Sequence, residues 1–176
     1  MREPRIAPGR LRQLGPVNHL LGKVLSRGAG VREAHLFTTL GRHRSLFRWW
    51  LAWSGALMLR GRLPRRETEL VILRVAHRCD SDYERRHHVR LGGRAGLSDE
   101  EMERVRDEQP TGWKPADAVL LEATDQLLAA EDVDDVAWRR LRAYWDERQA
   151  IELCLLVGQY RGLATTIRTL GIAPDR

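Results

Sequence analysis

PRRETELVILRVAHRCDSDYERRHHVRLGG, Pro64 to Gly93, holds two runs of helix-forming residues separated by the corner Cys79-Asp80-Ser81. In the first run Leu70, Leu73 and Ala76 or His77 return at helical spacing. They follow a proline, whose missing N–H costs nothing where a helix begins. In the second run Ser81 stands at the opening of a helix and Gly96, just beyond the stretch, at its stop. Two helices joined by so short a corner form an antiparallel hairpin.

The rest of the chain repeats this pattern, with apolar periodicity punctuated by Gly and Pro. Helices are predicted from about Val17 to Ser26, Arg32 to Leu40 and Ser45 to Leu59, the last carrying Trp49, Trp50 and Trp53. After the hairpin, Ser98 and Glu101 in SDEE spell a capping box that opens a sixth helix. The loop EQPTGWKP separates it from helical stretches at Ala116–Ala130, Asp134–Arg148 and Gln149–Leu170, with Gly171 as the final stop. Alternating β-branched runs and Asn-Gly or Asp-Gly hairpin turns are missing. The expected fold is all-α, a single-domain multi-helix bundle. A helical extension over residues 1–62 precedes a motif core at 63–108 and C-terminal helices at 114–171.

Composition narrows the function. A chain of 176 residues with 43% hydrophobic content is long enough for one real core. Two cysteines, Cys79 and Cys154, are too few for a disulfide framework, and the start of the chain has no signal-peptide run. A cytoplasmic protein is expected. Trp49 to Leu59, the longest apolar stretch, falls short of the roughly 20 residues that span a bilayer, so no membrane partner is expected. The net charge of +6 sits in residues 1–62, which hold twelve Arg or Lys against two acids; residues 63–176 hold eighteen against twenty-two. Those arginines are scattered, without a dense block or a nucleic-acid-binding motif, so nucleic acid is not the expected partner. The tryptophan-rich helix and the last helix are more apolar than surface helices usually are, and contacts between subunits would bury them. Cys154, within the last helix, reads as core.

The hairpin also carries the candidate chemistry. At about 100° per residue, Ser81, Glu84 and His88 share one face, with Tyr83 and His87 to either side. Glu69 lies about 15 Å before the corner and His88 about 10 Å beyond it, similar enough depths for the carboxylate of one helix to approach the stripe of the next. An imidazole between acids is a proton relay in outline. Each element also has a plainer reading. Ser81 with Glu84 fits a capping box, Glu84 with His88 an i,i+4 pair, and Glu69 can pair with Arg65, Arg66 or Arg74. A metal site is not expected, because His87 and His88 point about 100° apart.

The stretch from Leu63 to Val105 resembles the core of the carboxymuconolactone decarboxylase-like proteins, which include the alkylhydroperoxidase D-like enzymes. The cues are R-x-x-E-L-x-x-L on one helix, the pair Tyr83-Glu84, His88 four residues after that glutamate, and Gly96-Leu97-Ser98 opening the next helix. The flanks around Leu46–Trp50 and Leu156–Gly171 are similar to the longer, cysteine-poor members. The resemblance implies an all-helical fold that assembles into homo-oligomers, commonly trimers or hexamers. The peroxidase branch carries glutamate, eleven residues, C-x-x-C, three residues and histidine. Glu69 and His88 match its ends, but Ser81 and Glu84 stand at the two cysteine positions. A dithiol cycle needs one attacking and one resolving thiol, and both are missing. The decarboxylase branch instead implies acid–base chemistry, with no cofactor, on a small-molecule substrate, a carboxylate or lactone. On this chain His88 would move the proton, Glu69 or Glu84 would tune it, Tyr83 is a hydroxyl donor, and Arg74 or Arg85 would hold the substrate carboxylate. The alternatives are a single-cysteine peroxidase centred on Cys79 and a non-catalytic ligand-binding or scaffold protein.

Overall fold

The computed structural model describes residues 3–109 and 111–175, and among these the chain forms nine α-helices and no strand. They are α1 (Leu11–Gly28), α2 (His35–Leu40), α3 (Arg44–Leu59), α4 (Arg65–Arg78), α5 (Asp82–Ala95), α6 (Asp99–Arg104), α7 (Pro115–Ala130), α8 (Asp135–Arg142) and α9 (Glu147–Leu170). None is long and apolar enough to cross a membrane. The helices divide into two compact units, Met1–Ala56 with Thr165–Arg176, and Leu57–Ala164. The division between them falls within α3 and α9.

In the first unit, α1 is longer than its sequence suggests and turns at Gly15, whose φ of 72° is open to glycine at little cost. Pro16 has no N–H to give the carbonyl of Arg12. The Arg44 guanidinium replaces it, donating to Arg12 O at 2.8 Å and to Gln13 O at 3.0 Å. Buried Asn18 donates to the carbonyls of Gly41 and Arg44 and so ties down the corner between α2 and α3.

The second unit is built around α4. Every residue from Thr68 to Ala76 on this helix is buried, a run too continuous for a surface helix. It packs against α5 on one flank and α7 on another. One apolar cluster joins Val71, Ile72 and Val75 to Leu120, Leu153 and Leu156; a second joins Leu70 and Leu73 to Leu97, Val105 and Leu121. The hairpin forms as expected, with Pro64 just before α4 and Ser81 just before α5. Gly96 ends α5 in the left-handed region at φ 100°, and Leu97 N–H donates back to Gly92 O at 2.9 Å.

The segment Asp134–Arg148 is not one helix. It breaks after Arg142, and α9 restarts where Asp146 and Gln149 exchange side-chain and backbone hydrogen bonds of 2.8 and 2.9 Å. Cys154 corrects another expectation, since it lies on the exposed side of α9. That helix is apolar nearly all round, so one face buries Leu153, Leu156 and Val157 while Ile151, Cys154 and Leu155 stay outside.

Candidate active site

Packing α5 on α4 brings Glu69 and His88 together. Glu69 is fully buried, at 0% exposure, and its Oε2 lies 2.6 Å from His88 Nδ1. Its other oxygen accepts from Arg65, one turn earlier on α4 and already bonded to Met58 O at 2.9 Å. Held between a guanidinium and an imidazole, Glu69 serves as a carboxylate acceptor. Nδ1 of His88 is then the donor, and Nε2 is the nitrogen left to exchange a proton. The ring, 8% exposed, meets the edge of Tyr160 from α9 at 5.1 Å and 86°. Tyr160 donates to the sulfur of Met58 at 3.3 Å. Burial raises its pKa strongly, with the charges of Glu69 and Glu84 adding to the effect, so the phenol stays neutral.

Ser81 and Glu84 complete the buried stripe, while Asp82, Arg86 and Arg90 on the same helix face outward. Glu84 is 3% exposed, and burial pushes its carboxyl up to about 7 against the opposing influence of the nearby Ser81 hydroxyl. The capping box that these two residues spell does not form. The Ser81 N–H that Glu84 would satisfy already donates to Ala76 O at 2.8 Å, closing the end of α4.

The remaining sequence candidates lie elsewhere. Arg74, offered by the sequence as a substrate ligand, is engaged elsewhere. It is wholly buried, donates to both carboxylate oxygens of Asp125 at 2.8 and 2.6 Å, and also bonds the carbonyls of Asp107 and Glu108. Arg85 pairs with Asp82 at 3.0 Å. It lines a separate cavity of about 190 Å³ with Leu73, His77, Val89, Met102 and Arg106. Its position on α5 is turned about 60° from His88, toward the outer side of the hairpin. Tyr83 stacks at a tilt on His87, ring centres 5.0 Å apart. Cys79 caps α4 half-buried, packed against the apolar cluster of Val75. Among the described residues no three His, Cys, Asp or Glu side chains converge in a way that would hold a metal ion.

Two members of the site went unassigned from sequence. Arg65 appeared only as one ion-pair partner among three. Tyr160 had a faint signal, a phenol within the otherwise apolar LVGQYRG, but nothing local ties it to a histidine 72 residues earlier.

The sequence profile described as the carboxymuconolactone decarboxylase family matches residues 44–126, a span that includes both helices of the hairpin. Over that segment the chain is similar to the carboxymuconolactone decarboxylase family. No curated protein matches the chain. Among solved structures, an alkylhydroperoxidase AhpD core from Ralstonia eutropha JMP134, an uncharacterized peroxidase-related protein, superposes with a TM-score of 0.86. It is 18% identical, over 99% of this chain and 93% of that one. A peroxidase-related protein from Silicibacter sp. TM1040 gives 0.80 at 13% identity, covering 92% and 86%. A variant of the debrominase Bmp8, in complex with 2,3,4-tribromopyrrole, gives 0.81 at 13% identity, covering 96% and 90%. At these identities the likeness is one of fold. Within the matched segment, Glu69 and His88 are in hydrogen-bonding contact, and Ser81 and Glu84 carry a hydroxyl and a carboxyl on the same helix as His88.

Proposed function

We propose that this chain is an acid–base enzyme that acts on a small carboxylated lactone or related carboxylate, with His88 moving the proton. The observation that supports it is the 2.6 Å contact between His88 Nδ1 and a buried, arginine-paired Glu69. Such a contact fixes the tautomer and orientation of the ring and stabilises the imidazolium that forms when Nε2 takes a proton. In a decarboxylation, the carbon–carbon bond to the leaving carboxylate breaks and carbon dioxide departs. Its electron pair passes into the conjugated lactone, and imidazolium Nε2–H returns a proton to carbon. Arg65, partly exposed at the site and paired with Glu69, takes the role of holding the substrate carboxylate that the sequence had offered to Arg74 or Arg85.

The test is turnover of carboxylated lactones, followed by carbon dioxide release, in the wild type and His88→Asn. The variant keeps its helical content and loses turnover by at least about 100-fold, the usual scale for a positioned acid–base group. Equal rates in the two proteins overturn the assignment.

A further inference from the structure

Three oxygens beside His88 remain unexplained by the mechanism above. Ser81 Oγ and both carboxyl oxygens of Glu84 are buried and have no hydrogen-bond partner in the protein. Buried polar groups are nearly always bonded, since leaving one unpaired costs about 1–3 kcal/mol. Glu84 lies one helical turn before His88 and Ser81 about two, all on the same buried face. Their usual outlet, the capping box, does not form: Ser81 makes no side-chain cap bond to the helix, and its own N–H is committed to Ala76 O.

We propose that Ser81 and Glu84 form an oxygen-binding subsite in which Glu84, as a neutral carboxylic acid, donates a hydrogen bond to a carbonyl oxygen of the substrate. The subsite belongs to the acid–base reading above and deepens it by naming the substrate group that docks there. A carboxylic acid and a hydroxyl each carry one O–H donor, and Ser81 lies close enough to donate to the carbonyl oxygen of the Glu84 carboxyl, which leaves the Glu84 O–H for a ligand. A ligand carbonyl supplies the acceptor for it. An uncharged carbonyl fits better than a carboxylate, because the charges facing Glu84 across the site are mixed. Glu69 and Arg65 come from α4 and largely cancel, and Tyr160 from α9 is a neutral phenol. His88, on the same helix as Glu84, is the further titratable group of the site, and it is engaged by Glu69. The substrate carboxylate goes to Arg65, which leaves the Glu84 side of the site to the uncharged carbonyl. Burial also keeps the Glu84 proton on below about pH 7, which is the state the donor role requires.

The chemistry then divides between two side chains. As the carbon–carbon bond breaks, the electron pair delocalises onto the carbonyl oxygen, where the Glu84 O–H holds it. When imidazolium His88 protonates the carbon, that pair returns to re-form the carbonyl, and Glu84 keeps its proton throughout. His88 is recharged from water.

The experiment uses the full chain labelled with 13C at the glutamate carboxyls, the Glu84 signal being assigned by its disappearance in Glu84→Gln. The probes are 2(5H)-furanone, a neutral lactone, and 2,5-dihydrofuran, the same ring without the carbonyl. The expected result is that furanone alone shifts the Glu84 signal at pH 6. Its apparent affinity falls about tenfold per pH unit once Glu84 ionises. Glu84→Gln, which keeps an N–H donor, retains binding without that pH dependence, and Glu84→Ala weakens it at least tenfold; Ser81→Ala gives a smaller loss. A Glu84 signal that titrates in the ordinary carboxylate range overturns the proposal, as does equal response to the two probes or unaltered binding in Glu84→Ala. His88→Asn separates the two readings. It is expected to keep furanone binding while losing turnover, so a wild type that binds furanone and turns over no lactone removes the acid–base assignment and leaves the subsite standing.

Discussion

At the scale of single residues, Glu84 and Arg74 show opposite ways of holding a buried charge-bearing group. Glu84 has no partner, so burial favours its neutral form. In the unfolded chain it ionises near the usual carboxylate value, whereas the folded chain keeps the proton up to about 7. Folding stability therefore falls as pH rises through that window. Glu84→Gln removes the titration, and its stability relative to wild type should rise from near zero at pH 4 to about 3 kcal/mol at pH 8 by urea denaturation. Arg74 is charged and fully engaged with Asp125 and backbone carbonyls. Arg74→Met strands those acceptors and should cost about 3–5 kcal/mol at neutral pH, against little effect for the solvent-facing Arg86→Met. Cys79 sits at the end of α4 against the core and two residues before the position that a redox thiol would occupy. Cys79→Ser is accordingly expected to leave lactone turnover within a factor of two, and peroxide should produce no intramolecular disulfide in the wild type.

At the scale of elements, two helix starts with the same S-x-x-E spelling behave differently. Ser98 Oγ accepts from Glu101 N–H at 3.1 Å, and Glu101 returns the bond to Ser98 N–H at 3.0 Å, so the box at α6 is closed. At α5 the corner after α4 takes the Ser81 N–H first, and the pair is left facing the site. Ser98→Ala should therefore lower stability by about 1 kcal/mol, while Ser81→Ala should lower it by markedly less. Thermal melts of the two variants decide the point, and equal losses would show that Ser81 is an ordinary cap.

At the scale of the whole molecule, apolar surface remains uncovered. Trp49 is 77% exposed, and with Leu46 and Trp53 it makes a stripe at i, i+3 and i+7 along α3. Isolated exposed apolar residues are ordinary, but a tryptophan stripe on one helix is the kind of patch that a partner covers. Self-association follows as the expectation. In sedimentation experiments the wild type should run as an assembly well above its 20.3 kDa chain mass, and Trp49→Glu combined with Trp53→Glu should shift it toward monomer. A wild type that sediments as a monomer at micromolar concentration rules this out.

What could be read from the chain alone followed from short-range rules. Apolar spacing, Pro64, Gly96 and the Ser98 box each act within a few residues, so the helices, the corner at Cys79–Ser81 and the shared face of Ser81, Glu84 and His88 were legible before any coordinates. Even the approach of Glu69 to His88 needed only similar depths on either side of one corner. The remainder depended on contacts across long stretches of chain. Arg74 and Arg65 are both arginines one helix turn or so from Glu69, yet α7 supplies Asp125 to engage the first and leaves the second at the site. Tyr160 reaches His88 only because α9 packs alongside the hairpin. Whether Ser81 and Glu84 cap a helix or face a substrate turned on one N–H already taken by Ala76. Local pattern sets which residues share a face; only packing between distant segments decides which of their polar groups are satisfied and which are left free to bind.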